Sequence, residues 1–153
     1  IGHERILSCA VRRQVMGMLQ TFNGSARGPT VVFATVSGEQ HELGVLMYAA
    51  LAASQSLRVD YLGADLPAEV IADHACRVGA AAVALSLVMV SELRRSLQQL
   101  AVLRRCVAES VEIWVGGPAC LAVDPEKFPA GTVHLGARGA FDHRIALLAA
   151  CGR

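Results

Sequence analysis

Val31-Val32-Phe33-Ala34-Thr35-Val36-Ser37-Gly38-Glu39-Gln40-His41-Glu42-Leu43-Gly44 decides how this chain is read. The first six residues form a compact, largely apolar run, as expected of a strand buried on both faces. The stretch then turns polar and presents one imidazole, His41, in a loop. Three residues later Gly44 opens a helical segment from Val45 to Ser54. A strand, a loop and a helix in this order make the first unit of an α/β fold.

The same alternation continues in both directions. Upstream, Leu7, Val11, Val15, Met18 and Phe22 recur at three- and four-residue spacing and predict a helix from about Glu4 to Phe22. Asn23-Gly24-Ser25-Ala26-Arg27-Gly28-Pro29 reads as a linker. Downstream, strands are expected at Leu57 to Leu62, Ala81 to Ser86, Val111 to Val115 and Thr132 to Leu135. Helices are expected from Pro67 to about Val78, from about Ser91 to Ala108 and from Asp142 to Ala150, with a weak helical stretch after Gly116-Gly117-Pro118. Strands alternating with helices in this way predict a doubly wound parallel sheet. Five such strands fit the flavodoxin-like order 2-1-3-4-5, which binds ligands beyond the carboxyl ends of strands one and three. The loops carrying His41, Ser86 and Gly116-Gly117 then share one rim.

Composition bounds the possibilities. The chain has 153 residues, enough for one domain with a real core, and is 54% apolar but only 5% aromatic. A net charge of +1 gives no electrostatic case for a general nucleic-acid or membrane surface. The five cysteines (Cys9, Cys76, Cys106, Cys120 and Cys151) have no CxxC or CxxCH spacing, so neither a zinc knuckle nor covalent haem attachment is indicated. Reduced thiols in a cytoplasmic protein are expected. No apolar run is long enough to span a bilayer, and no signal-peptide pattern is present. The chain begins at Ile1 and is expected to be part of a longer protein.

Three short motifs carry the candidate chemistry. Imidazole is a common metal ligand, and Glu39 lies where it can accept the proton of the other ring nitrogen of His41. The plain alternative is a solvated loop histidine. Ser86 ends a strand of small apolar residues, so its hydroxyl can meet a heterocyclic nitrogen or simply cap the next helix. Gly116-Gly117 leaves room for a flat group or makes an ordinary turn. His74 reads as a surface residue, His134 as structural, and Arg94-Arg95 and Arg104-Arg105 as a solvated helix face or a partner contact. There is no GxGxxG after the first strand, no GxxxxGK[ST] and no GxSxG, which argues against dinucleotide, P-loop and hydrolase readings.

Taken together, His41-x-x-Gly44, Ser86-x-Val88 and Gly116-Gly117 resemble the cobalamin-binding domain family, whose pattern is Asp-x-His-x-x-Gly, Ser-x-Leu and Gly-Gly. The resemblance covers about residues 30 to 140. It implies that His41 replaces the benzimidazole base as lower cobalt ligand and that Glu39 orients it. The displaced nucleotide tail would enter a slot between sheet and helix, with Ser86 bonding the base and Gly116-Gly117 lining the slot. The resemblance assigns the cofactor site to Gly38, Glu39, Gln40, His41, Glu42, Leu43, Gly44, Ser86, Leu87, Val88, Gly116 and Gly117, with His41 as the metal ligand.

Glu39 and Val88 depart from the enzyme branch of the family, which has aspartate and leucine there. Both substitutions, and the strings Tyr61-Leu62-Gly63-Ala64-Asp65-Leu66-Pro67 and Leu85 to Arg94, look like the light-sensing B12-dependent regulators of the CarH/LitR type. The antirepressors of the AerR/PpaA/AppA type are also similar. Residues 1–23 look like the last helix of a helical cap, 24–29 a linker and 30–153 the cobalamin-binding domain. In that helix Arg5 stands where the family has its upper-ligand histidine, with His3 out of register. The implied function is a non-enzymatic sensor domain of a bacterial transcriptional regulator that binds adenosyl-, methyl- or hydroxocobalamin. A change in cobalt ligation would repack the cap. DNA would be reached only through a further domain or a partner repressor, and a homo-oligomer or transcription-factor partner is expected. The alternatives are a corrinoid-carrying methyltransferase or mutase domain, and a haem-binding or ligand-free interaction domain.

Overall fold

A computed structural model describes residues 2–136 and 138–151, with side chains from residue 6 to 136 and 139 to 151. The Arg5 and His3 positions weighed against an upper-ligand histidine lie outside the described side chains. In chain order the elements are α1 (Gly2–Ser25), β1 (Thr30–Val36), α2 (Leu43–Ser54), β2 (Arg58–Leu66), α3 (Ala68–Arg77), β3 (Ala82–Ser86), α4 (Leu93–Cys106), β4 (Glu112–Gly116), β5 (Thr132–His134) and α5 (Arg138–Cys151). The weak helical stretch after β4 is two 3-10 turns, Pro118–Ala122 and Pro125–Lys127. All five strands are parallel and lie in the order β2-β1-β3-β4-β5, the expected flavodoxin-like arrangement.

Helices cover both faces because the central strands are apolar on both faces. On one face Phe33, Ala84 and Trp114 stand in register across β1, β3 and β4. They pack with Val45, Leu46 and Ala49 of α2 and Phe141 and Ile145 of α5. On the other face Val32, Ala34, Val83, Leu85 and Ile113 pack under α3 and α4. Full burial of a large apolar side chain such as Phe33 or Trp114 contributes about 1.5–3 kcal/mol, so this register does much to fix the sheet.

The N-terminal helix docks on α2 through Leu19, with Val15, Met16 and Phe22 partly buried beside it. It runs through Ser25, three residues past the expected end, because Asn23 has a specific partner. Its side-chain amide donates to the Val59 carbonyl and its oxygen accepts from the Val59 N–H, both at 2.8 Å. The Arg27 and Gly28 amides both donate to the Ser56 carbonyl, so the segment read as a linker is tied to the domain.

Two further side chains have more specific surroundings than the sequence indicated. Half-buried Arg104 donates to the carbonyls of Val111, Val107 and Ala108 and closes the turn after α4. His74 bonds Asp60 of β2 at 3.0 Å. His134 keeps the structural place expected of it, edge-on to Phe128 with ring centroids 4.2 Å apart. No helix among the described residues is long and apolar enough to cross a membrane.

Candidate functional site

The loop after β1 is built around Glu39. This carboxylate is 1% exposed, which is costly for a charge unless its oxygens are fully hydrogen-bonded. One oxygen accepts from the His41 amide at 3.0 Å and meets the His41 Nδ1 at 2.6 Å. The other accepts from the amides of Val88 and Met89, in the loop after β3, at 2.8 and 2.9 Å. Burial pushes the Glu39 pKa up, but the three amide bonds and the imidazole outweigh it and hold the carboxyl below its ordinary value.

The backbone beneath Glu39 is pinned as well. The buried Thr35 hydroxyl donates to the Glu39 carbonyl and accepts from the Asp65 amide. The Asp65 carboxylate in turn accepts from the Gly38 amide at 2.7 Å. Asp65 sits at φ 59°, where β2 loses register with β1.

His41 therefore stands out from a rigid base. Its side chain is 57% exposed, and its Nδ1 is engaged by Glu39. That contact favours the tautomer with the proton on Nδ1, leaving Nε2 as an outward lone pair able to ligate a metal. Glu42, the residue after it, leaves the amides of α2 uncapped by its side chain. Its carboxylate instead pairs with Arg12 of α1 at 2.7 Å and accepts from the Tyr61 hydroxyl of β2. Helix α1 is thus bonded to the residue next to His41.

A groove of ≈ 410 Å³ opens beside this loop, between the carboxyl ends of β1, β3 and β4 and helices α2 and α5. Ser86 lies in it and is 8% exposed, and its hydroxyl has no hydrogen-bond partner among the described residues. Gly44 faces Ser86, and a Cβ there would lie in ordinary van der Waals contact with its Oγ, at 3.9 Å. Val88, Gly116 and Gly117 also line the groove.

Gly117 carries an additional backbone demand. Its φ is +98° and a Cβ would sit 2.4 Å from the Leu87 carbonyl oxygen. Leu87 itself points away from the groove into the core under α3 and α4, as strand alternation requires between Ser86 and Val88. Gln40 is exposed and Leu43 half-buried at the start of α2; neither lines the groove.

The aromatic wall is what the sequence reading missed. Phe33, Tyr48, Trp114 and Phe141 line the groove. The Phe141 ring meets Tyr48 edge-on at 4.6 Å and Trp114 at 6.2 Å between centroids. The strand register brings Phe33 and Trp114 to this face, and that much was available from period-two alternation; the helix residues Tyr48 and Phe141 needed the fold.

An open groove at the switch point of a 2-1-3-4-5 sheet defines a flavodoxin-like α/β domain with its site at the carboxyl ends of the strands. The chain belongs to the B12-binding domain family, whose model (B12 binding domain) matches residues 29–140. A similar curated protein is the HTH-type transcriptional repressor CarA of Myxococcus xanthus, 30% identical over 88 residues; the match takes in 58% of this chain and 31% of that protein's length. Among solved structures, a cobalamin-binding protein from Desulfitobacterium hafniense aligns with TM-score 0.58 and 23% identity over 79% of this chain and 58% of the other. The methanol:cobalamin methyltransferase complex MtaBC of Methanosarcina barkeri aligns with TM-score 0.64 and 21% identity, over 80% of this chain and 48% of the other. At these identities the structural likenesses establish the fold.

Proposed function

We propose that this chain is the cobalamin-binding sensor domain of a bacterial transcriptional regulator, acting in the cytoplasm, with His41 as the lower axial ligand to cobalt. The observation that carries the reading is a buried carboxylate fixing an exposed imidazole beside an open groove that holds a hydroxyl with no hydrogen-bond partner among the described residues. Among the described residues no three His, Cys, Asp or Glu side chains are grouped to chelate a bare ion. A single imidazole suits a metal that arrives within its own macrocycle. The residues present fit such a group: His41 for the metal, Ser86 and Gly44 for the tail, and Gly116 and Gly117 for space beside it. Bound cobalamin would supply a cobalt centre whose axial ligands can be exchanged.

The chain's own residues supply the rest. Glu39 holds the imidazole and, through Val88 and Met89, the adjoining loop. Glu42 and Arg12 join that loop to α1, so a displacement at His41 is transmitted to the N-terminal helix. Light or corrinoid level is the signal in this reading, with DNA reached through another domain, a partner repressor or a homo-oligomer. Likeness to CarA supports a regulator. The fold would equally serve a corrinoid carrier for a methyltransferase, and activity with a partner enzyme separates the two.

The test is an absorption spectrum after mixing the protein with hydroxocobalamin, and in parallel with haemin, and then removing free ligand on a sizing column. Co-eluting corrinoid with a histidine-ligated spectrum, lost in His41→Ala, is expected. Retention of haem alone, or an unchanged spectrum and affinity in His41→Ala, would refute the assignment.

A further inference from the structure

The connection from β4 to β5 is built differently from the others. Right-handed crossovers put it on the face covered by α3 and α4. The connections after β1, β2 and β3 carry helices of 12, 10 and 14 residues. This one carries 3-10 turns of five and three residues. Its Ala119, Cys120 and Phe128 join the core that includes Leu100 and Leu103 of α4. Outside that core an open groove of ≈ 470 Å³ remains between α4 and the two turns. Leu93, Leu97 and Ala101 follow one another along α4 at four-residue spacing and form an apolar stripe in it, with Ala122 contributed by the connection.

Two cations accompany the stripe. Arg94 of α4 and Lys127 at the end of the second turn both line the groove and are exposed. Neither has an ion pair among the described residues. No acidic side chain among the described residues lines the groove. Glu126 is exposed outside it, and the Asp124 carboxylate accepts from the Glu126 amide. The Glu92 carboxylate lies over Gly38, in the loop after β1. The charge of the groove is therefore positive and uncompensated.

We infer that this groove docks an amphipathic helix of a partner protein, apolar along one stripe and acidic along its edges. The helix takes the place that a crossover helix fills in the other three connections. Its apolar side chains cover Leu93, Leu97 and Ala101, as in other helix-in-groove complexes. Acidic residues at its edges meet Arg94 and Lys127, whereas basic residues there would meet like charge. The inference stands apart from the cobalamin reading, because the groove beside His41 opens against α2 and α5, on the other face of the sheet.

The experiment is a fluorescence-anisotropy titration of the whole chain against two labelled helical peptides of about 16 residues, roughly four turns. Both carry leucines at i, i+4, i+7 and i+11; one has glutamates beside them and the other lysines. The glutamate peptide is expected to bind at least about tenfold more tightly at low salt, and added salt should narrow the difference. The double variant Arg94→Glu, Lys127→Glu should reverse the preference. That reversal also reports a folded groove, since the variant must still bind the lysine peptide. Failure of both peptides to bind, equal affinity for the two, or a preference unchanged in the double variant would overturn the inference. So would a dimer on a sizing column that the double variant abolishes, because the groove would then be occupied by a second copy of the chain.

Discussion

The Glu39 carboxylate and the His41 imidazole meet through a 2.6 Å Oε1···Nδ1 contact, while the other Glu39 oxygen holds two amides of the loop after β3. One side chain therefore sets both the ring that faces solvent and the segment beside it.

Replacing Glu39 tests this double role. Glu39→Ala leaves the Val88 and Met89 amides without their partner and is expected to cost about 2–4 kcal/mol of stability. Glu39→Asp keeps the charge but is one methylene shorter, too short to serve both ends, and should fall between wild type and alanine. Urea denaturation of the three proteins measures the order. Wild-type stability in the alanine variant would contradict this double role of Glu39.

Gly117 is required by the backbone of Leu87. Gly117→Ala forces a Cβ against the Leu87 carbonyl at positive φ, and about 3–5 kcal/mol is expected to be lost. Calorimetry should show the melting midpoint falling by roughly 10 °C in a domain of this size. Gly116→Ala meets nothing nearer than 3.5 Å and should be mild by comparison, while narrowing the groove.

The bond between Arg12 and Glu42 is partly exposed, so its direct worth is small. Arg12→Ala should reduce global stability by no more than about 1 kcal/mol. Glu42→Ala removes the partner of both Arg12 and the half-buried Tyr61, whose pKa burial and Glu42 together push up. It should loosen α1 more than the arginine change does. Amide hydrogen exchange along α1 measures this, and equal protection in all three proteins would remove the link between helix and loop.

Acid sensitivity has an identifiable source in His134. Its Nε2 is buried without a hydrogen-bond partner among the described residues, and burial holds its pKa below the ordinary value of 6.5. A depressed histidine pKa means that the unfolded chain binds the proton more readily. The contribution to stability is then present above about pH 6.5 and lost as the pH falls through the folded value. Melting curves of wild type and His134→Leu at descending pH should show a difference that changes in that window. A pH-independent difference would show that His134 does not titrate in this way.

Much of the fold was legible because strand and helix periods differ so clearly. The strand at Val31 to Val36, the loop glycines and the alternating apolar segments placed His41, Ser86 and Gly116-Gly117 on one rim, and the structure brings them there. Leu87 was grouped with the site because the motif is contiguous in sequence, although the side-chain alternation of an extended segment sends it to the other face. Arg104 looked like surface charge because a helix pattern does not reveal which carbonyls lie beyond its end. The second half of the Glu39 role was not legible, since nothing local links residue 39 to the amides of residues 88 and 89.

Asn23 has a consequence for the colloidal behaviour of the protein. Strand β2 lies at the margin of the sheet, and the Asn23 amide occupies one donor and one acceptor there as a neighbouring strand would. Lifting the C-terminal end of α1 would uncover that margin as well as the apolar surface beneath the helix. Such a margin is a template for pairing with another chain. Any signal that frees this helix from the domain thereby also raises its tendency to self-associate, so helix movement and solubility should vary together.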